Sequence, residues 1–398
     1  DFRTDTDSDY DEGAAGRAHF CGGSDGSSDF LWLGGEAEQP QPMSDGIGER
    51  QLLLYRPERE SLLPGGFIYH IFVDRFASSG KHNVRAGGIA AHDWYCGDIQ
   101  HASVRGGELK NDQFFGGDLD GITDKLDYLA SLGVTVIYLS PIFDSPSNHK
   151  YDTADYMRID PAFGDDESFS RLCREAEARG ISILLDGVFN HTGRDFFAFR
   201  DILKSRESSS YLDWYCNVNF GGNNEYNDGF SYENWGGYNL LVKLNQRNPA
   251  VKDYICDVIR FWVSEFDIDG IRLDAADVLD FDFMKALRQT ANEVKADFWL
   301  MGEVIHGDYG RWVGGDMLHS VTNYQLHKAL FSGHNDHNYF EIAHTVNYLH
   351  QMLSNHSESL KLYNFVDNHD VERIYTKLNV KEHFTPVHIL LYLSLIHI

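Results

Sequence analysis

From residue 67 onward, apolar runs alternate with amphipathic stretches, and the alternation predicts serial β/α units. Phe67–Val73 is a continuous apolar run and reads as a buried strand. Residues 119–132 carry helical periodicity, and residues 134–139 read as a second strand, closed off by Pro141. Residues 165–179 read as a helix stopped by Gly180, and residues 181–185 as a third strand. Residues 192–245 break the rhythm: they are polar, aromatic and Gly-rich. A stretch that long inside a compact domain is expected to be a functional insertion. The rhythm then resumes with a helix over 249–266, a strand ending at Leu273, a helix over 281–295 and a strand ending at Gly302. A short strand is expected at 317–321, a helix over 339–353 and a strand over 362–366. Seven units of this kind imply parallel strands, in either a doubly wound sheet or a closed barrel. No Gly-x-Gly-x-x-Gly follows the first strand, which weakens dinucleotide binding. Polar and charged residues instead collect just after the strands. A (β/α)8 TIM barrel gathers such strand ends at its C-terminal face.

The expected layout is an acidic disordered segment over 1–18 and a remnant of an N-terminal β-sandwich over 19–63. A first part of the barrel spans 64–191, the insertion after the third strand 192–245, and a second part 246–398, truncated before the eighth strand. The formal net charge is −27, from 34 basic and 61 acidic residues, which argues against nucleic acid or an anionic membrane as partner. A neutral substrate such as a sugar is compatible, and the many aromatic residues offer stacking faces or core packing. Cys21, Cys96, Cys173, Cys216 and Cys256 contain no Cys-x-x-Cys, and their odd number argues against a disulfide framework or zinc. The most apolar run, residues 387–398, is shorter than the roughly 20 residues a membrane span needs. The chain opens at Asp1 with no signal-peptide core, so a cytoplasmic and a secreted location both stay open.

Three carboxylates stand at the ends of three different strands: Asp274, Glu303 and Asp370. If the barrel forms, they converge. Carboxylates that close repel, and at least one should hold its proton. That combination suits glycoside hydrolysis, which needs a nucleophile, a proton donor of raised pKa and stabilisation of an oxocarbenium-like transition state. Arg272 lies two residues before Asp274, hence on the same side of the strand, and can pair with it. Taken alone, that pair reads equally well as an ion pair holding strand to helix.

Four short motifs occur in order: Asp186-Gly187-Val188-Phe189-Asn190-His191, Gly270-Ile271-Arg272-Leu273-Asp274, Gly302-Glu303-Val304 and Phe365-Val366-Asp367-Asn368-His369-Asp370. Each closes an expected strand. Together they resemble glycoside hydrolase family 13, the α-amylase family, over about residues 66–390. The resemblance implies Asp274 as nucleophile, Glu303 as general acid/base and Asp370 as the carboxylate that distorts the sugar. It implies Arg272 as the group keeping the nucleophile ionised, His191 and His369 as hydroxyl binders, and Asp186 and Asn190 as support. Tyr151, within Asn148-His149-Lys150-Tyr151-Asp152-Thr153, matches the stacking platform, and residues 192–245 match the family's domain B. A domain C would follow an eighth strand. Leu241-Val242-Lys243-Leu244-Asn245 is similar to a motif of neopullulanases, cyclomaltodextrinases and maltogenic amylases, and the stretch from Phe115 to Tyr156 looks like an amylopullulanase module. Both imply α-glucan substrates: starch-derived dextrins, pullulan or cyclodextrins. No cofactor is expected for the chemistry. Calcium is typical of the family, and Asn83 and Asp118 are the oxygen ligands on offer, with ordinary loop residues as the simpler reading.

A transglycosylase would share every catalytic residue, and a non-catalytic amylase-like protein would lack part of the triad. Asp277 stands where many α-amylases have a lysine facing the acceptor. His334-Asn335-Asp336-His337 has metal-like spacing but no third ligand in sequence, and reads as a solvated loop.

Overall fold

A computed structural model describes residues 66–82, 85, 87–91, 94, 111–355 and 361–397. The acidic segment 1–18, the sandwich remnant 19–63 and Asn83 lie outside the described residues. Seven strands form one sheet in sequence order: β1 (Ile68–Ile71), β2 (Val136–Leu139), β3 (Ser182–Gly187), β4 (Gly270–Leu273), β5 (Trp299–Gly302), β6 (Ser320–Thr322) and β7 (Lys361–Tyr363). Every neighbouring pair is parallel. This is the strand order and sense of a (β/α) barrel. Among the described residues, β1 and β7 are the edge strands.

Helices fill the crossovers. Between β1 and β2, the one helix expected over 119–132 is two: α1 (Leu119–Thr123) and α2 (Leu126–Ser131). The first turn is pinned against the β1 loop. A Cβ on Gly121 would lie 2.3 Å from the Ala77 carbonyl oxygen, and Asp118 caps the turn by accepting from the Gly121 N–H. The helix therefore restarts at Leu126. α3 (Asp166–Glu177) opens on a capping box between Asp165 and Ser168. After β3 come α4 (Phe197–Ser205) and α5 (Pro249–Phe266), the latter started by Asn248 and Pro249. α6 (Phe281–Val294) joins β4 to β5. α7 (Tyr324–Asn335) and α8 (Tyr339–Asn355) lie between β6 and β7, and α9 (Ile374–Lys377) and α10 (Phe384–His397) follow β7. The periodicity missed α7, and it places His334 in a buried helical turn, not in a solvated loop.

The period-2 alternation of the strands divides the core in two. Ile137, Leu139, Ile183, Leu185, Ile271, Leu273 and Leu300 face outward into the main cluster beneath the helices. Val136, Tyr138, Leu184 and Met301 form a second cluster inside the sheet, with Ile68, Trp299 and Tyr363 packed on it. Two residues beyond Leu184 and Met301, the same inward face carries Asp186 and Glu303. Residues between β3 and α5 include a small antiparallel sheet of His191–Thr192, Tyr238–Lys243 and Asn234–Trp235. Phe199, Tyr215, Phe230 and Tyr232 pack together beside it.

Candidate active site

Arg272 is the hub of the barrel mouth. Register pairs it with Asp186 on β3 and Met301 on β5, so the inward side chains of three strands meet at one guanidinium. Its side chain is only 3% exposed. Nη1 lies 2.9 Å from Asp186 Oδ1 and 3.0 Å from Asp274 Oδ1, and Nη2 lies 2.9 Å from Glu303 Oε2. Two of the three carboxylates expected to converge, Asp274 and Glu303, meet at this guanidinium, and Asp186 joins them there.

The chain beyond β4 contributes more than Asp274. Ala275 takes a left-handed conformation, φ +47°, at a cost of about 1 kcal/mol or more for a residue with a Cβ. That turn aims its N–H at Glu303 Oε2, 3.0 Å away. Glu303 also accepts from the Tyr324 hydroxyl, 3.2 Å from Oε1. Burial alone would raise the Glu303 carboxyl, but Arg272 and the Ala275 N–H outweigh it, and Glu303 sits below its ordinary value. Among the described residues, Asp274 accepts from Arg272 Nη1 alone. Burial, with Glu303, Asp186 and Asp370 nearby, pushes it well above its ordinary value despite Arg272. The surroundings thus lower Glu303 and raise Asp274, whereas the sequence led to a raised pKa at the proton donor.

Asp186 accepts from the hydroxyls of Tyr138 and Tyr151, the latter at 2.8 Å. Tyr151 Oη also lies 2.6 Å from His369 Nε2, and the two rings stack 5.5 Å apart, 4° from parallel. The turn presenting Tyr151 is held from below. Lys150, fully buried with φ +69°, donates to Ser145 O at 2.9 Å and Asp160 Oδ2 at 2.7 Å. After β7, Asn368 Oδ1 accepts from the N–H groups of Asp370 and Val371, while its Nδ2 donates to Tyr324 Oη. This turn brings His369 and Asp370 to the cluster, with His369 Nε2 3.2 Å from Asp370 Oδ2. Burial and then Glu303 push Asp370 up to about 7. Its side chain is 33% exposed, so solvent screening moderates that shift.

His369 and His191 are both driven down to about 3, mainly by burial, and are neutral. His191 stacks on Trp235 at 6.3 Å, and its Nε2 is buried without a partner, a ring nitrogen ready for a ligand hydroxyl. Asn190 is placed differently. It contacts His191 Nδ1 and Gln246 and has no bond to the carboxylate cluster, so it fixes the base of the insertion.

Asp118 does not offer itself to a cation. Its carboxylate accepts from Gly121 N, Ser79 N and Ser79 Oγ, which uses it as a helix cap. The residues present do not fit a calcium ion at Asp118. Sequence reasoning missed Tyr138, Lys150, Ala275 and Tyr324 as parts of the site. Tyr138 was findable, because it shares an inward face with the strand-end groups; Tyr324 lies on the unrecognised α7.

The sequence profile of the alpha amylase catalytic domain matches residues 70–397. A cyclomaltodextrinase of Geobacillus thermopakistaniensis (strain MAS1) is 40% identical over 311 residues, 77% of this chain and 50% of that protein. Neopullulanase 2 of Thermoactinomyces vulgaris is 39% identical over 323 residues, 79% of this chain and 52% of that protein. The chain spans about half the length of these two relatives. Among solved structures, the ligand-free cyclic α-maltosyl-(1→6)-maltose hydrolase of Arthrobacter globiformis superposes with a TM-score of 0.66 at 30% identity, covering 80% of this chain and 68% of that one.

Proposed function

The chain belongs to the α-amylase family, and from that premise we propose that it is a retaining, endo-acting α-glucan hydrolase. The bonds proposed are α-1,4-glucosidic bonds in starch-derived dextrins, pullulan or cyclodextrins. The carrying observation is that one buried guanidinium holds an oxygen of both Asp274 and Glu303. Carboxyl oxygens on the two terminal nitrogens of one guanidinium are compatible with the retaining spacing of about 5–5.5 Å, the spacing this reading takes.

In this reading Asp274 attacks the anomeric carbon while Glu303 gives its proton to the departing glycosidic oxygen. The product of that step is a β-linked glycosyl ester on Asp274. Glu303, now ionised, takes a proton from water, the water oxygen bonds to the anomeric carbon, and the ester bond breaks to release an α-anomer. The surroundings at rest favour the reverse, lowering Glu303 and raising Asp274. The chemistry needs the proton transferred to Glu303 and the charge on Asp274. A bound sugar would drive that transfer by taking the place of Arg272 and the Ala275 N–H at Glu303 Oε2. His191, His369 and Asp370 would bind ring hydroxyls, Tyr151 would stack on the sugar, and residues 192–245 would form one wall of the cleft as domain B.

The test is hydrolysis of soluble starch, pullulan and β-cyclodextrin by the chain, with the anomers of nascent product read by NMR. α-Anomers are expected first, and a fluorinated glucosyl trap is expected to label Asp274. β-Anomers first, or a label on another residue, would overturn the mechanism.

A further inference from the structure

Far from the carboxylate cluster along α7, three imidazoles gather. The ring centroids of His334 and His383 are 5.3 Å apart, and those of His337 and His383 are 5.6 Å apart. His334, in the last turn of α7, is 1% exposed. Its Nδ1 lies 2.7 Å from the Leu330 carbonyl oxygen, which can only accept. The proton is therefore on Nδ1, and Nε2 carries a lone pair. That Nε2 is buried and has no partner, and neither has the buried Nδ1 of His383.

We propose that His334 and His383 are the core of a transition-metal site for a borderline divalent ion such as Zn2+, with His337 as the third ligand. The chemistry of the donors fits. Metal-bound imidazoles characteristically donate their other ring N–H to a carbonyl or carboxylate, as His334 does to Leu330. Zinc–nitrogen bonds of about 2.0–2.1 Å at a tetrahedral angle place two imidazole centroids roughly 5 Å apart, close to the spacing seen. The ion would lie at the C-terminal end of α7, where the helix dipole favours a cation. Nearby ammonium groups are engaged elsewhere: Lys377 lies over the Phe331 ring, and Lys381 bonds to the carbonyls of Tyr375, Thr376 and Leu378. Among the described residues no three His, Cys, Asp or Glu side chains already converge as a metal-binding group. The site is thus a two-histidine core that a rotation of the exposed His337 completes, water filling what is left. Occupied, it would clip the end of α7 to the turn that starts α10.

The test is Zn2+ binding to the EDTA-dialysed chain near neutral pH, measured by competition with a chromophoric chelator. A Co2+ visible spectrum reports the geometry. Expected are one Zn2+ per chain, a tetrahedral-type Co2+ spectrum, and a rise in melting temperature with Zn2+. His383→Ala should bind at least tenfold more weakly and lose that rise, with its circular dichroism unchanged; His383→Gln serves if the alanine variant does not fold. His344→Ala, an exposed histidine of α8, should match the parent. Undiminished Zn2+ binding by the folded His383 variant, or no binding by the parent chain, would overturn the proposal.

Discussion

Replacing Arg272 by Met removes the positive charge at the barrel mouth while keeping an unbranched side chain of comparable reach. In the parent chain this 3%-exposed side chain faces Asp186, Asp274 and Glu303 at 2.9, 3.0 and 2.9 Å. Removing one partner of a buried ion pair costs about 3–5 kcal/mol, because the remaining charge is left uncompensated. Here three carboxylates lose the same counter-charge, but they can escape by taking up protons, so the loss must depend on pH. Without Arg272 the folded-state values of all three rise above their unfolded values of about 4. Between that value and the raised ones, the folded state binds protons that the unfolded state lacks, so stability falls as pH rises. In the parent, Glu303 is depressed; its contribution is full above the unfolded value and fades as pH falls through the folded one. Both effects widen the gap between variant and parent toward alkaline pH. Urea unfolding at about pH 8 should therefore show a loss of about 3–5 kcal/mol, shrinking at about pH 5.5. A loss under about 1 kcal/mol at the higher pH would refute Arg272 as the counter-charge, since that is the range of an exposed pair. A large loss equal at both pH values would reduce its role to packing.

Glu303→Gln should lower kcat on soluble starch by about 10²–10⁴-fold with KM little changed, and near-parental turnover would remove Glu303 from the acid role. Tyr324→Phe deletes a donor to the Glu303 carboxylate. That should raise the Glu303 pKa and move the basic limb of the kcat/KM profile upward by about half a unit to one unit, a shift commensurate with the ~1 kcal/mol net of a single hydrogen bond; an unmoved limb would contradict the contact. Asp370 is raised to about 7 and so opposes folding increasingly as pH climbs from its unfolded value toward that point. Asp370→Asn should accordingly melt higher than the parent at about pH 8, with the gain shrinking toward about pH 4, and a gain that grows on acidification would reverse the assigned sign.

Much of the fold was legible because barrel strands write their burial into sequence. Ile183–Leu185, Ile271 and Leu300–Met301 are apolar on both faces, and the charged residues that come next, Asp186, Arg272 and, past Gly302, Glu303, mark the strand ends. The reading failed where packing overrode pattern. Met317 and Leu318 supply the apolar cue for a strand, yet β6 is Ser320–Thr322. Leu318 is buried as a core side chain, and its backbone forms only an isolated bridge with Val313. α7 was missed beside it. Its start rests on Asn323 capping the Leu326 N–H, and its buried positions include His327, Gly333 and His334, which a hydrophobic pattern does not count. The same misreading hid the histidine cluster, because His383 lies 49 residues beyond His334 in the chain.

At the site, sequence spacing identified which groups meet but could not allocate their charge. Period 2 puts Arg272 and Asp274 on one face, and an interior of acidic groups must hold a proton somewhere. Where it rests depends on donors that no motif encodes. Glu303 receives the Ala275 N–H because a left-handed turn follows Asp274, and receives Tyr324 because α7 begins where it does. Asp274 has only a share of Arg272, which also serves Asp186. The anion is therefore better solvated at the proposed acid than at the proposed nucleophile. On this reading the acid is not set in advance. A substrate that displaces Glu303 from its donors disfavours the anion there, and the same act frees Arg272 to stabilise the ionised Asp274. Binding and the arming of both catalytic groups become one event, so a sugar too short to reach Glu303 should bind without turning over.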